Sequence, residues 1–150
     1  MLENRKIRIV LDTNTIVSGL LWKGNESLLL DKIENQEVLM YITFEIIDEL
    51  RKTLNYPRMD KYLKKSKTSI DELMNKVLSF SHIILENAKK VVISRDSEDN
   101  KIIECALSAN ADFIISGDND LLILKKYRQI KIVKTIDILK IIEFQTKDEL

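Results

Sequence analysis

This chain has few of the residues that crosslink, bend or interrupt a fold. Its 150 residues include one cysteine, one proline, one histidine and three glycines. A single cysteine excludes an internal disulfide, and one cysteine with one histidine provides no pair for a zinc site. Gly19, Gly24 and Gly117 are too few and too scattered for a glycine-rich phosphate loop. Disulfide scaffolds, zinc sites and phosphate loops are therefore excluded.

The lone cysteine and histidine are not expected to be catalytic. Cys105 lies in an apolar helical pattern that predicts a small buried side chain, and His82 is expected at the surface or at a cap. No apolar stretch approaches the ~20 residues that span a bilayer, and the amino terminus leads into a short strand rather than a signal-peptide core. We expect a cytoplasmic protein in a reducing compartment, with no membrane partner.

The chain also has no excess of charge of either sign, because 24 basic residues balance 24 acidic ones. No global field therefore draws the protein to nucleic acid. Between Arg51 and Lys67, however, seven basic residues accompany one acid, Asp60. Such a run is usually a solvated helical face, but beside an acidic metal pocket it becomes a candidate track for a phosphate backbone. The candidate RNA contacts in it are Arg51, Lys52, Arg58 and Lys61.

Apolar runs of strand length alternate with helical patterns along the chain. Strands are predicted at residues 7–11, 38–42, 111–115 and 130–133, with a further short segment at 91–93. Helices are predicted at residues 25–35, from Thr43 to before Pro57, at 58–81, from Asp96 or Ser97 to about Asn110, at 121–126 and from Thr135. We expect one three-layer α/β/α domain over residues 1–150, with a central, mostly parallel sheet and a polar tail at about 145–150.

Four carboxylates lie at the ends or starts of predicted elements. Asp12 and Asp118 each follow an apolar strand, so both would emerge at the carboxyl edge of the sheet, where open α/β sheets bind ligands. Glu49 lies inside one helical pattern and Asp99 near the start of another. Each has an ordinary explanation alone, such as a helix cap or a solvated face. If the fold brings them together, their repulsion predicts a divalent cation among them.

Four sequence blocks together resemble the PIN domain family, and in particular the stand-alone prokaryotic PIN proteins that include VapC-type toxins. The resemblance covers nearly the whole chain, and the blocks occur in the family's order. They are residues 10–14 (VLDTN), 45–50 (EIIDEL), 96–106 (DSEDNKIIECA) and 111–122 (ADFIISGDNDLL). None of the acidic positions departs from the family's pattern.

The resemblance implies a ribonuclease that depends on Mg²⁺ or Mn²⁺ and acts as the toxin of a toxin-antitoxin pair. RNA is then the substrate, an antitoxin protein is a partner, and the chain forms a homodimer. The implied catalytic and metal-binding carboxylates are Asp12, Glu49, Asp99 and Asp118, with Asp120 as a further metal ligand. The implied residues that orient ligands or substrate are Asn14, Asp96, Asn100 and Ser116. Hard oxygen ligands of this kind suit both ions.

Two other functions remain open at this point. One is a PIN-like module that binds RNA or a protein but has little or no catalysis, and the other is a housekeeping nuclease outside any toxin system. A candidate docking patch for an antitoxin helix consists of Ile16, Val17, Leu20, Leu21 and Trp22. Core packing explains most of these residues equally well, and Trp22 is expected to be partly exposed.

Overall fold

A six-stranded sheet forms the centre of the fold, with its first strand in an interior position. The computed structural model describes residues 5–85 and 97–148. Its strands are β1 (Arg8–Leu11), β2 (Leu39–Thr43), β3 (Ser81–Ile84), β4 (Phe113–Ile115), β5 (Lys126–Tyr127) and β6 (Ile130–Val133). The order across the sheet is β3-β2-β1-β4-β6-β5, and only β5 runs antiparallel to its neighbour. The predicted mostly parallel sheet is confirmed.

Helices cover both faces of this sheet. The helices are α1 (Thr13–Leu21), α2 (Asn25–Glu34), α3 (Phe44–Leu54), α4 (Asp60–Lys65), α5 (Ile70–Phe80), α6 (Ser97–Ser108), α7 (Asn119–Leu122) and α8 (Thr135–Asp148). Successive residues of a strand point to opposite faces of the sheet. Because Ile9, Val10 and Leu11 are all buried, both faces of β1 are covered. α6 packs on β1, β2 and β4, while α1 packs against α2 and α3. The three-layer α/β architecture is confirmed.

Short-range signals explain where several helices begin and end. The Asp12 carboxylate caps α1 by accepting a hydrogen bond from the Thr15 N–H at 2.8 Å. Thr43 Oγ1 accepts a longer one from the Ile46 N–H at 3.4 Å, so α3 begins where its cap predicts. The same helix ends shortly before Pro57, which disfavours a helical residue in front of it.

The middle of the chain differs from the predicted pattern. Residues 58–81 form two helices, α4 and α5, preceded by a 3-10 turn at Pro57–Met59, instead of one long helix. Lys67 has a φ of 53°, a left-handed conformation that ends a helix and that no glycine marks here. β3 follows α5 directly and contains His82, which is only half-buried. The strand segment predicted at 91–93 lies outside the described residues.

Both ends of the chain also differ from the expected pattern. Residues 13–21, for which no element was predicted, form α1, and the helix predicted at 121–126 is limited to α7. Lys125 then has a φ of 61° and leads into β5. α8 continues to Asp148, so most of the predicted polar tail belongs to the last helix. Within the described ranges, no helix is long and apolar enough to cross a membrane.

Gly19 lets α1 and α2 approach closely. A Cβ atom at this position would lie 2.6 Å from Leu30 Cδ1 and 2.9 Å from the backbone oxygen of Glu26. The backbone oxygen cannot move away as the end of a flexible side chain can. The packing of α1, which begins at Asp12, therefore depends on the missing side chain.

We expect Gly19→Ala to lower the free energy of unfolding by a net amount on the order of 1 kcal/mol. Overpacking typically costs about 1–3 kcal/mol, which exceeds the ~1 kcal/mol that alanine gains over glycine in a helix. Urea unfolding measures the change. The control is Gly117→Ala, because a Cβ there meets nothing within 4 Å and this glycine has no left-handed φ. Equal stability of Gly19→Ala and the wild-type protein would contradict the packing argument.

Candidate active site

The pairing of β1 with β4 brings Asp12 and Asp118 to the same edge of the sheet. The strands are in register with Leu11 opposite Ile115, and the Asp12 N–H extends the pairing by donating to the Ile115 carbonyl at 3.1 Å. Asp118 follows β4 and caps α7. Because both strands run in the same direction, the two aspartates leave the sheet side by side.

Both carboxylate oxygens of Asp12 are hydrogen-bonded. Oδ1 accepts from the Thr15 N–H, and Oδ2 accepts a short hydrogen bond from the Ser116 hydroxyl. Ser116 Oγ in turn accepts from the Asp118 N–H at 2.9 Å. Asp12 and Ser116 are both buried. Ser116 thus joins the carboxylate of one acid to the backbone of the other, which is the geometry that an orienting role requires.

Four carboxylates line one small pocket of about 100 Å³. Asp12 and Asp118 come from the sheet edge, Glu49 from α3, and the buried Asp99 from α6. The other described lining residues are Thr13, Asn14 and Ile102, so the described lining contains no basic side chain. The structure therefore brings together all four acids that the sequence singles out.

The other predicted site residues lie around this pocket at various distances from it. Asn14 is exposed and lines it. Asp120 is exposed in the first turn of α7, its N–H donates to Asp118 Oδ1 at 2.9 Å, and it is not among the described lining residues. Asn100 follows Asp99 in α6 and is likewise not among them. Asp96 lies outside the described residues.

The predicted RNA-contact residues divide into two pairs. Arg51 and Lys52 are exposed on α3, and Arg51 Nη1 lies 3.2 Å from Asp71 Oδ1 in an exposed ion pair. Arg58 and Lys61 line a separate groove that begins beside Asn14. Of the two pairs, the second lines a cavity that shares a lining residue, Asn14, with the acidic pocket.

The predicted antitoxin patch is mostly core. Ile16 and Val17 are buried, and Leu20 and Leu21 are partly buried against the core. Trp22, at 43% exposure, is the member of the patch that is open to solvent, as expected. Core packing, the alternative considered for these residues, therefore accounts for most of the patch.

Two residues near the acids are not among the predicted site residues. Thr13 Oγ1 is buried in the pocket wall and has no hydrogen-bond partner among the described residues. Lys134 lines a larger cleft of about 520 Å³ that Asp12 and Asp118 also line. It follows β6 at the carboxyl edge of the sheet, the position that singled out Asp12 after β1. Lys134 was not predicted because only acidic residues were selected by their position at this edge.

The lining oxygens fit a hard divalent cation in their chemistry. Carboxylates and the hydroxyl of Thr13 are oxygen ligands of the type that Mg²⁺ and Mn²⁺ prefer. Within residues 5–85 and 97–148, no three Asp, Glu, His or Cys side chains converge closely enough to hold an ion. Mg²⁺ usually keeps several waters and takes only one or two carboxylates, so this spacing fits an ion held partly through water.

Comparison with known proteins identifies the family. A PIN domain family model matches residues 8–120, and the chain belongs to this family, whose members are nucleases that generally use divalent metals. The chain is 33% identical over 125 residues to the uncharacterized protein MJ1680 of Methanocaldococcus jannaschii, covering 83% of this chain and 79% of that protein.

A solved structure has a similar fold. It is a chain in the crystal structure of VapBC2 from Rickettsia felis bound to a DNA fragment from their promoter. The TM-score is 0.59 at 14% identity, and the match covers 85% of this chain and 98% of that one. At this identity the likeness shows the fold alone. The resemblance to the PIN domain family is confirmed.

Cys105 takes no part in this site's chemistry. Its side chain is fully buried in α6, and desolvation by burial raises the pKa of the thiol to about 12. The thiolate is the nucleophilic form of cysteine, and below this pKa the thiol stays protonated. The prediction that Cys105 is buried is confirmed.

We expect native Cys105 to resist an aromatic disulfide reagent at pH 8, because its raised pKa and burial withhold the thiolate. After unfolding in guanidinium chloride the thiol titrates near its ordinary value of ~8.5 and should react fully. The absorbance of the released thiol measures both states. Rapid reaction of the folded protein would contradict the assigned burial.

Proposed function

We propose that this chain is a divalent-metal-dependent ribonuclease and the toxin of a toxin-antitoxin pair. The observation that supports catalysis best is the pocket that Asp12, Glu49, Asp99 and Asp118 line together. Membership of a nuclease family supports phosphodiester hydrolysis. The similar fold in VapBC2 of Rickettsia felis supports an antitoxin partner. Homodimerisation and the antitoxin itself stay predictions.

Electrostatics requires a cation between this pocket and RNA. Four carboxylates repel the anionic phosphodiester, and the described lining residues include no base to offset them. Bound Mg²⁺ or Mn²⁺ would supply positive charge and Lewis acidity for hydrolysis of the phosphodiester. Asp12 and Asp99, the two buried acids, would hold the ion directly, and Glu49 and Asp118 would do so directly or through water.

The protein's own residues orient the site and give access to it. Hydrogen bonds from Thr15 and Ser116 hold both oxygens of Asp12, so its carboxylate cannot rotate freely. Asp12 and Asp118 line both the acidic pocket and the larger cleft, so the substrate would reach the acids from that cleft. Exposed Lys134 in the cleft wall would attract the phosphate groups.

We expect the wild-type protein to cleave RNA with Mg²⁺ or Mn²⁺ and not with EDTA. Asp12→Asn should fold, because asparagine also caps a helix. It should lose at least roughly 100-fold in cleavage rate, since changes to residues that merely orient metal ligands already cost about 10- to 100-fold. Gel analysis of end-labelled unpaired and structured RNA measures the rates, and circular dichroism checks the fold.

The matched control for this test is Asp31→Asn, which makes the same change at an exposed position of α2. It should cleave as the wild type does. Undiminished cleavage by Asp12→Asn would contradict the assignment of the site, and binding of RNA without cleavage by the wild type would indicate a binding module. In cells, growth arrest on expression of the wild type but not of Asp12→Asn would support the toxin; cleavage without arrest would indicate a housekeeping nuclease.

A further inference from the structure

A groove runs along α1, away from the acidic pocket. It has a volume of about 330 Å³ and extends from Asn14 to Trp22, the residue that caps the end of α1. Asn14 also lines the acidic pocket, so the groove and the pocket lie on two sides of this residue. At 1.5 Å per residue the two residues are about 12 Å apart along the helix. A run of roughly three or four nucleotides, stacked ~3.4 Å apart, spans the same distance.

Two aromatic side chains form one wall of the groove. The ring centroids of Trp22 and Tyr62 are 4.9 Å apart, with an angle of 73° between their planes, so the rings meet edge to face. Contact with Tyr62 supports Trp22 from one side, yet Trp22 stays 43% exposed. A supported, open indole ring offers a surface on which an unpaired base can stack, whatever its identity.

Two cations accompany these rings. Arg58 and Lys61 both line the groove and are exposed, and Lys61 Nζ lies 5.0 Å from the centroid of the Tyr62 ring. None of the described lining residues of the groove is acidic. The groove is therefore locally positive, in a chain of zero net charge and beside an acidic pocket. Positive charge beside an open aromatic ring matches the phosphates and bases of a single strand.

We propose that this groove binds an unpaired nucleotide of the RNA substrate, with its base on Trp22 and its phosphate beside both Arg58 and Lys61. The inference rests on the proposed function, because it states how the substrate approaches the acids. A strand that lies along α1 passes Asn14 and brings a phosphate some three or four nucleotides further along to the acidic pocket. Duplex RNA cannot bind in this way, since its bases are already stacked on one another. The groove thus selects unpaired RNA.

The fluorescence of Trp22 tests this proposal without any cleavage. Trp22 is the single tryptophan of the chain, so its emission reports on the groove directly. A 2′-O-methylated hexamer of adenosine is titrated into Asp12→Asn in EDTA, and a duplex of the same length is titrated in parallel. We expect saturable quenching by the single strand and little change with the duplex. An unchanged emission at concentrations that saturate binding would overturn the proposal.

Substitutions test the two kinds of contact separately, with anisotropy of a labelled hexamer as the measurement. Trp22→Ala should weaken binding by about 5- to 150-fold, the usual effect of removing one stacked base, and Trp22→Phe should retain most of the affinity. Lys61→Ala should reduce the slope of log affinity against log salt by about one. Its matched control is Lys76→Ala on α5, an exposed lysine outside the described lining of the groove. Equal salt slopes for the two lysine variants would contradict the phosphate contact.

The outcomes separate this proposal from the proposed function. Metal-dependent cleavage with no response of Trp22 would support the nuclease and contradict RNA binding in the groove. Quenching of Trp22 without cleavage by the wild type would support RNA binding in the groove and contradict the nuclease. An amphipathic helical peptide that changes the emission, where the hexamer does not, would make the groove a protein-docking site and overturn its assignment to RNA.

Discussion

The parallel pairing of β1 with β4 is the constraint on which the whole site depends. Its last contact, from the Asp12 N–H to the Ile115 carbonyl, places Asp12 beside Ser116. The Ser116 hydroxyl can then join the Asp12 carboxylate to the backbone of Asp118. α6, which supplies Asp99, packs on the same two strands. The acidic pocket therefore follows from the order of the strands and from helices that are packed on them.

Acids at the two edges of the sheet have different surroundings. Near the amino end of β4, Asp112 forms an ion pair with Arg5 at 2.6 Å, and this hydrogen bond raises the pKa of the Arg5 guanidinium. At the carboxyl edge, four acids line a pocket whose described lining residues include no base. Asp112 thus has an arginine partner, whereas the described lining of this pocket includes none. Such an arrangement is consistent with a cation that comes from solution.

The sequence predicted features that have local causes. The cap at Thr43 and the buried strand β1 could be predicted, because a hydrogen bond within one turn and an apolar run each determine the local structure. The break within residues 58–81 was missed for two reasons. Lys67 takes a left-handed conformation that no glycine or proline marks, and the local start signal of α5, Ser69 capping the Glu72 N–H, lies inside a continuous apolar-periodic pattern.

The same contrast holds for the site. The four carboxylates belong to sequence blocks that resemble a known family, and all four line the pocket. Thr13 lies in one of these blocks and Lys134 follows a predicted strand as Asp12 does, but neither side chain is acidic, so the pattern of carboxylates does not include them. Asp120 is a near neighbour of Asp118 in sequence, yet α7 begins between them and leaves Asp120 exposed.

If these four carboxylates form one divalent-cation site, Mn²⁺ raises the midpoint temperature of thermal unfolding. An ion that binds only the folded state at 100 times its dissociation constant stabilises it by about 2.7 kcal/mol, which is roughly 5 to 10 °C for a chain of this size. We expect such a shift for the wild type and for Asp31→Asn, and none for Asp99→Asn. Equal shifts in all three proteins, or no shift in the wild type, would contradict a cation site at these carboxylates.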